Sequence, residues 1–155
     1  NVISEKPLVP TVRLLEKLER LEVETGNQIN TILQLRLHPA VIKIKEFIQT
    51  KKKKTKFDVD LAYVSHRGHW YTRSWKDNQN EGFGITTNIG IHFFDLLLWL
   101  FGDVQTSRLF LNEPDRATGF LELENARIRW FLSTNGQDLP IANKEKKWAL
   151  HCHFW

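Results

Sequence analysis

Residues 104–133 read VQTSRLFLNEPDRATGFLELENARIRWFLS, and their pattern decides the fold. Val104 to Leu111, Ala117 to Leu123 and Ala126 to Ser133 are three strand-like runs, broken only by an Asn-Glu-Pro-Asp and a Glu-Asn turn. Successive strands with connections this short pair antiparallel. The fold class expected is α+β, with an open, largely antiparallel sheet backed by helices.

Outward from this stretch, Asn88 to Phe101 is the strongest helix in the chain; Gly102 stops it, and its largely apolar circumference predicts burial. Phe57 to Ser65 reads as a strand with Phe57, Val59, Leu61 and Tyr63 on one face. Pro39 opens an amphipathic helix that ends near Thr50. Ile29 to Leu37 alternates partly and is rich in β-formers, so a strand is expected there. Thr11 to Thr25 has the period of a one-sided helix, with Gly26 as its stop. Between Arg67 and Gly84 the chain is polar, aromatic and glycine-punctuated without a period, and a loop of that length usually serves function.

Composition narrows the function classes. The 155 residues are 41% hydrophobic and 26% charged, which suits one ordinary globular domain with a real core. His92 and Asp95 interrupt the longest apolar stretch, Ile89 to Phe101, so it falls short of the roughly 20 residues of a membrane span. The single cysteine, Cys152, cannot form an internal disulfide, and a cytoplasmic location is favoured. Much of the net charge of +4 comes from Lys51 to Lys54 and Lys56. That run lacks interleaved aromatics, so it reads as solvated lysines after a helix rather than a nucleic-acid patch. The chain begins at Asn1 and contains no methionine, and it reads as a fragment.

Three clusters carry candidate chemistry. In Glu5-Lys6-Pro7 the X-Pro bond permits a cis peptide that aims a lysine into a cleft. In Thr87 to Asp95, helical spacing puts Asn88, His92, Asp95 and Trp99 on one face. That stripe is either a site or a structural feature, with Thr87 or Asn88 as N-cap and His92 as a hydrogen-bonded core residue. In Arg67 to Lys76, arginine forks suited to phosphate stand beside aromatic faces suited to a base, and a surface loop anchored by tryptophans is the alternative. Lys144 to Trp155 reads as an unfamiliar basic and aromatic tail. Its His151-Cys152-His153 offers three donors in a row without a partner cluster, so no metal site is assigned.

Glu5-Lys6-Pro7 followed by a helix, a strand ending Gln34-Leu35-Arg36-Leu37-His38-Pro39, Asn88-Ile89-Gly90-Ile91-His92 with Asp95, and Leu100-Phe101-Gly102-Asp103-Val104 together resemble the Gfo/Idh/MocA oxidoreductase family. The agreement runs in order from Ser4 to about Ser133. Within the family, the loop of residues 67–76 and the helix of residues 88–95 resemble the branch that oxidises C3 of UDP-N-acetylglucosaminuronic acid for bacterial surface polysaccharides.

The resemblance implies that residues 1–37 are the remnant of an N-terminal Rossmann domain and that residues 38–155 form the substrate-binding and oligomerisation domain. No Gly-rich phosphate turn stands in the chain, so NAD would find its main cradle elsewhere. By the family pattern His92 is the general base or proton relay, and Lys6 places its ammonium by the nicotinamide and the reacting oxygen, with Glu5, Lys6 and Pro7 meeting the cofactor. Many relatives carry aspartate at the position of Asn88; an amide cannot take a proton, so Asn88 would orient substrate or His92. Arg67, Tyr71 and Trp75, with Lys76 as a fourth, are candidates for gripping UDP. Gln34, Arg36 and His38 lie where the domains should meet, and Arg36 suits either the sugar carboxylate or a salt bridge within the protein. A UDP-sugar substrate, a homo-oligomer formed through the sheet, and no nucleic-acid or membrane partner are the expected associations. The fragment alone is expected to show no turnover, and a non-catalytic nucleotide-sugar binding or oligomerisation module is the alternative function.

Overall fold

The computed structural model describes residues 1–51, 55–67, 84–140 and 148–154, with Trp148 and Phe154 described by backbone alone. Its first unit is small. Strand β1 (Val2–Ser4) and strand β2 (Ile29–Thr31) pair parallel across helix α1 (Val12–Thr25), a βαβ arrangement. Thr11 caps α1 by accepting from the Leu14 N–H at 3.4 Å. At the other end, Gly26 adopts φ 65° and donates its N–H to Glu22 O at 2.9 Å.

The expected strand over Ile29 to Leu37 is only partly present. Pairing with β1 ends at Thr31, and Gln34–Leu37 form a 3-10 turn that packs Leu35 against the core. His38 then caps helix α2 (Pro39–Gln49), its Nδ1 accepting from the Ala40 N–H at 3.2 Å. A chain entering a helix at Pro39 has to turn just where β propensity alone favours extension.

Strands β3 (Phe57–Ser65), β4 (Val104–Asn112), β5 (Arg116–Leu123), β6 (Ala126–Ser133) and β7 (Trp148–Phe154) form one sheet in the order β4-β5-β6-β3-β7. All neighbours are antiparallel except β3 and β6. The sheet is therefore open and largely antiparallel, and helices back one face of it.

The tail read as unfamiliar contains β7, an edge strand paired with β3 from Val59↔Phe154 to Ser65↔Trp148. Its alternation is visible once the pairing is known: Leu150 and Cys152 lie opposite Tyr63 and Leu61 of the inner face, while His151 and His153 lie on the outer face and stack 4.5 Å apart.

Helix α3 (Ile91–Phe101) continues directly from a π turn at Thr86–Gly90. Neither Thr87 nor Asn88 is an N-cap, because the helical path begins before them and buries Asn88, Ile89 and Gly90. From α3, Phe93, Leu97, Leu100 and Phe101 enter the core against Phe57, Val59, Leu61, Ile128 and Leu132 of the sheet. Gly102 ends the helix at φ 90°, a conformation costly for any residue with a Cβ.

Outward-facing residues of β3 and β6 pair by register. Asp58 stands opposite Arg127 and Asp60 opposite Arg129, which donates to it at 2.6 and 2.8 Å. From the lysine run, Lys56 binds Glu122 and the Lys51 ammonium lies 4.2 Å from the centroid of the Phe47 ring, while residues 52–54 lie outside the described residues.

Candidate active site

A cavity of about 610 Å³ opens between the start of α2, helix α3 and the β3-β7 edge of the sheet. Its walls are mostly apolar, with a few polar groups converging on them: Lys6, Gln34, His38, Arg67, Asn88 and His92. This is the usual build of a small-molecule site.

The sharpest polar geometry joins two distant segments. Lys6, next to a cis Lys6-Pro7 peptide, reaches the π turn and donates its Nζ to the backbone carbonyl of Asn88 and, at 2.9 Å, to Asn88 Oδ1. Asn88 is buried at 8% exposure, so its amide is a fixed acceptor. His92 stands one turn further along. Its Nδ1 is buried and has no hydrogen-bond partner among the described residues, so it is not the satisfied core histidine of the alternative reading.

Burial holds the His92 pKa below its ordinary value, and the Lys6 ammonium pushes in the same direction, while the Asp95 and Glu5 carboxylates oppose them. Burial and the Lys6 charge thus favour the neutral imidazole, the form that can accept a proton. A neutral imidazole beside an ammonium is the pairing needed to deprotonate a hydroxyl and stabilise the oxygen left behind.

Of the other candidates, Gln34, His38 and Arg67 line the cavity, whereas Glu5, Pro7 and Arg36 do not. Arg36 makes a bidentate ion pair with Asp95: Nε donates to Oδ2 at 2.8 Å and Nη2 donates to Oδ1. The salt bridge is thus the observed state of the two weighed for it. Tyr71, Trp75 and Lys76 lie outside the described residues. Sequence reasoning missed the wall supplied by β7, where Leu150 and Cys152 face the cavity. Cys152 is exposed overall, but desolvation on its cavity side, with Asp60 adding to the effect, pushes its pKa up to about 11 and favours the protonated thiol.

The pattern of the oxidoreductase family Gfo/Idh/MocA, C-terminal alpha/beta domain, matches residues 52–143, more than half of the chain. The chain belongs to this family. Two crystal structures of the WlbA (WbpB) dehydrogenase from Thermus thermophilus share its architecture. One, in complex with NAD and alpha-ketoglutarate, has a TM-score of 0.90 and 42% identity over 98% of this chain and 49% of that one. The other, in complex with NAD and UDP-GlcNAcA, has a TM-score of 0.91 and 41% identity over 99% of this chain and 50% of that one. YteT of Bacillus subtilis is 28% identical over 104 residues, 66% of this chain and 24% of that protein. The chain therefore spans about half the length of the Thermus protein. Membership of the family fixes the fold; any chemistry lies in the particular groups on the cavity wall.

Proposed function

We propose that this chain is the substrate-binding part of an NAD-dependent dehydrogenase acting on UDP-GlcNAcA, with oxidation at C3 of the sugar. The observation that carries the reading is the Lys6-Asn88-His92 constellation at one end of the cavity, in a chain 41% identical to a dehydrogenase seen with NAD and UDP-GlcNAcA.

In this reading a ring nitrogen of His92 takes the proton of the sugar hydroxyl, and the nearby Lys6 ammonium stabilises the oxygen as charge develops on it. Asn88 fixes Lys6 through its carbonyl oxygen and takes no proton itself. NAD, when bound, accepts the hydride. The residues present fit its reactive end only: Lys6 reaches the cavity, Glu5 and Pro7 flank it, and the described residues contain no phosphate-binding glycine turn. Arg67, Gln34 and His38 meet the nucleotide or the sugar acid, together with Tyr71, Trp75 and Lys76; Arg36 acts through Asp95.

The parallel β1-α1-β2 unit supports reading residues 1–37 as the end of a Rossmann domain, with the substrate domain from His38. Val2, Ile3, Val12 and Val23 of that unit are exposed apolar residues, as expected of a surface that continues into further structure. Recycling of the cofactor with 2-oxoglutarate and association into a homo-oligomer through the sheet complete the proposal. Among the described residues no helix is long and apolar enough to cross a membrane.

Calorimetric titration of this chain with UDP-GlcNAcA, and NADH formation by the complete gene product carrying it, test the reading. Binding plus NADH formation that His92→Ala abolishes supports it. Binding without NADH formation selects the non-catalytic nucleotide-sugar module, and absence of both overturns both readings.

A further inference from the structure

Helix α3 is held from the 1–37 segment at two points, on either side of His92. Lys6 grips Asn88, four residues before it, and Arg36 grips Asp95, three residues after it. Arg36 belongs to the 3-10 turn Gln34–Leu37, with the cavity-lining Gln34 two residues before it and His38 two residues after it. The Asp95 side chain is 11% exposed and that of Arg36 41%, so the carboxylate is shielded while the guanidinium bridges it to the surface. A two-armed fork also fixes orientation, which a single contact does not.

We propose that the Arg36-Asp95 pair is the positioning device of His92, tying the turn that carries Gln34 and His38 to the helix that carries the imidazole and setting the charge the imidazole faces. The pair touches neither the cavity nor His92 Nδ1, which has no partner among the described residues, so it acts through helix placement and field rather than through a hydrogen-bonded triad. With Arg36 in place the attraction of Asp95 for a protonated imidazole is muted. Without it, a shielded carboxylate stands one turn from His92 uncompensated.

Charged and titratable groups surround His92 from every neighbouring element. Lys6, from the segment after β1, His38 from the cap of α2, Tyr63 and Arg67 from β3 and its end, and Cys152 from β7 line the cavity, while Glu5 and Asp95 act on the imidazole from outside it, Asp95 with Arg36 of the 3-10 turn on its carboxylate. Of these, Lys6 and Asp95 pull His92 in opposite directions, which makes the compensation of Asp95 consequential.

The electrostatic part of the proposal holds whatever the substrate; its catalytic consequence rests on His92 being the base proposed above. The test is an NMR titration of the histidine side chains of this chain, with the His92 signal identified by its loss in His92→Gln. Arg36→Met is expected to raise the His92 midpoint by on the order of half a pH unit or more, Asp95→Asn to lower it by a similar amount, and the double variant to return it towards wild type. Both single variants moving the midpoint the same way, or neither moving it, overturns the proposal. Where a lone charge prevents folding, the swapped pair Arg36→Asp with Asp95→Arg retains two partners. It places a cation on α3, so its midpoint is expected to fall, and an unchanged or raised value overturns the proposal. In the complete enzyme the acid limb of kcat/KM should move with these midpoints. If the midpoints move and no NADH forms from UDP-GlcNAcA in the wild type, the reaction assignment fails and the positioning role stands.

Discussion

The two faces of the five-stranded sheet use the same residue types to opposite ends. On the outer face, Asp58, Asp60, Arg127 and Arg129 alternate with buried neighbours and pair across the parallel β3-β6 register, half in water. On the inner side, Lys6, Asn88 and His92 sit among apolar side chains at the end of a cavity, and one ring nitrogen of His92 has no hydrogen-bond partner among the described residues. Water and register satisfy the outer charges, so they need no function to explain them. The inner groups bear a desolvation cost that packing alone would have removed by substituting apolar residues, and this asymmetry supports placing the proposed chemistry on the inner side.

The largest expected effects lie on the inner side. In the complete enzyme, His92→Ala should lower kcat by on the order of 10²–10⁴, with binding of UDP-GlcNAcA changed only a few-fold. Lys6→Ala should behave similarly. NADH formation and calorimetry measure the two effects separately; a near-normal kcat for either variant would break the contrast at its centre. Leu132→Ala, at a fully buried position on the inner face of β6, should cost about 2–5 kcal/mol in a denaturant titration. Gly119 faces the same way, and a Cβ there would lie 2.5 Å from both the Arg108 carbonyl oxygen and the Trp130 ring, so Gly119→Ala should destabilise by about 1–3 kcal/mol.

Acid sharpens the comparison with a smaller effect. His92 in the folded chain lies below its ordinary value of 6.5, so as pH falls past that value the unfolded chain binds a proton the folded chain does not, and stability declines until the folded group also titrates. At the sheet end, the hydrogen bond from Arg116 holds Asp138 below its ordinary 3.8, with a further bond from Ser133, and its contribution is lost lower still, as pH falls through the folded value. Chemical denaturation across pH should therefore show two acid-sensitive windows. His92→Gln should flatten the upper and Asp138→Asn the lower; a single window unaffected by His92→Gln would refute the assignment.

The same contrast explains what could be read from the sequence. Strands β4, β5 and β6 and helix α3 were legible because their signals are local: alternation, tight turns, a buried period and Gly102. Strand β7 was not, since its partner β3 lies far upstream and His151-Cys152-His153 looks like a donor cluster until pairing separates the cysteine from the histidines. The 3-10 turn at Gln34–Leu37 was hidden because β propensity describes local preference, whereas docking of Leu35 on the core is tertiary. For the site, family resemblance singled out Lys6, Asn88 and His92, and the cavity brings them together. The partner of Arg36 remained open until helix α3 placed Asp95 against it.

The smallest effect is the outer counterpart of the first. Arg129 donates two hydrogen bonds to Asp60, yet its side chain is 69% exposed and that of Asp60 36%. Such a pair exchanges hydration for a contact of nearly equal free energy and orders a long side chain as well. Arg129→Ala should therefore cost less than about 1 kcal/mol, and added salt should shrink the difference further, measured as the shift in denaturant midpoint at low and high ionic strength. A loss as large as that of Leu132→Ala, three residues along the same strand on its inner face, would mean that the outer face is covered in solution. The charge ladder would then belong to an interface between copies of the chain, and the variant should change the oligomeric state as well as the midpoint.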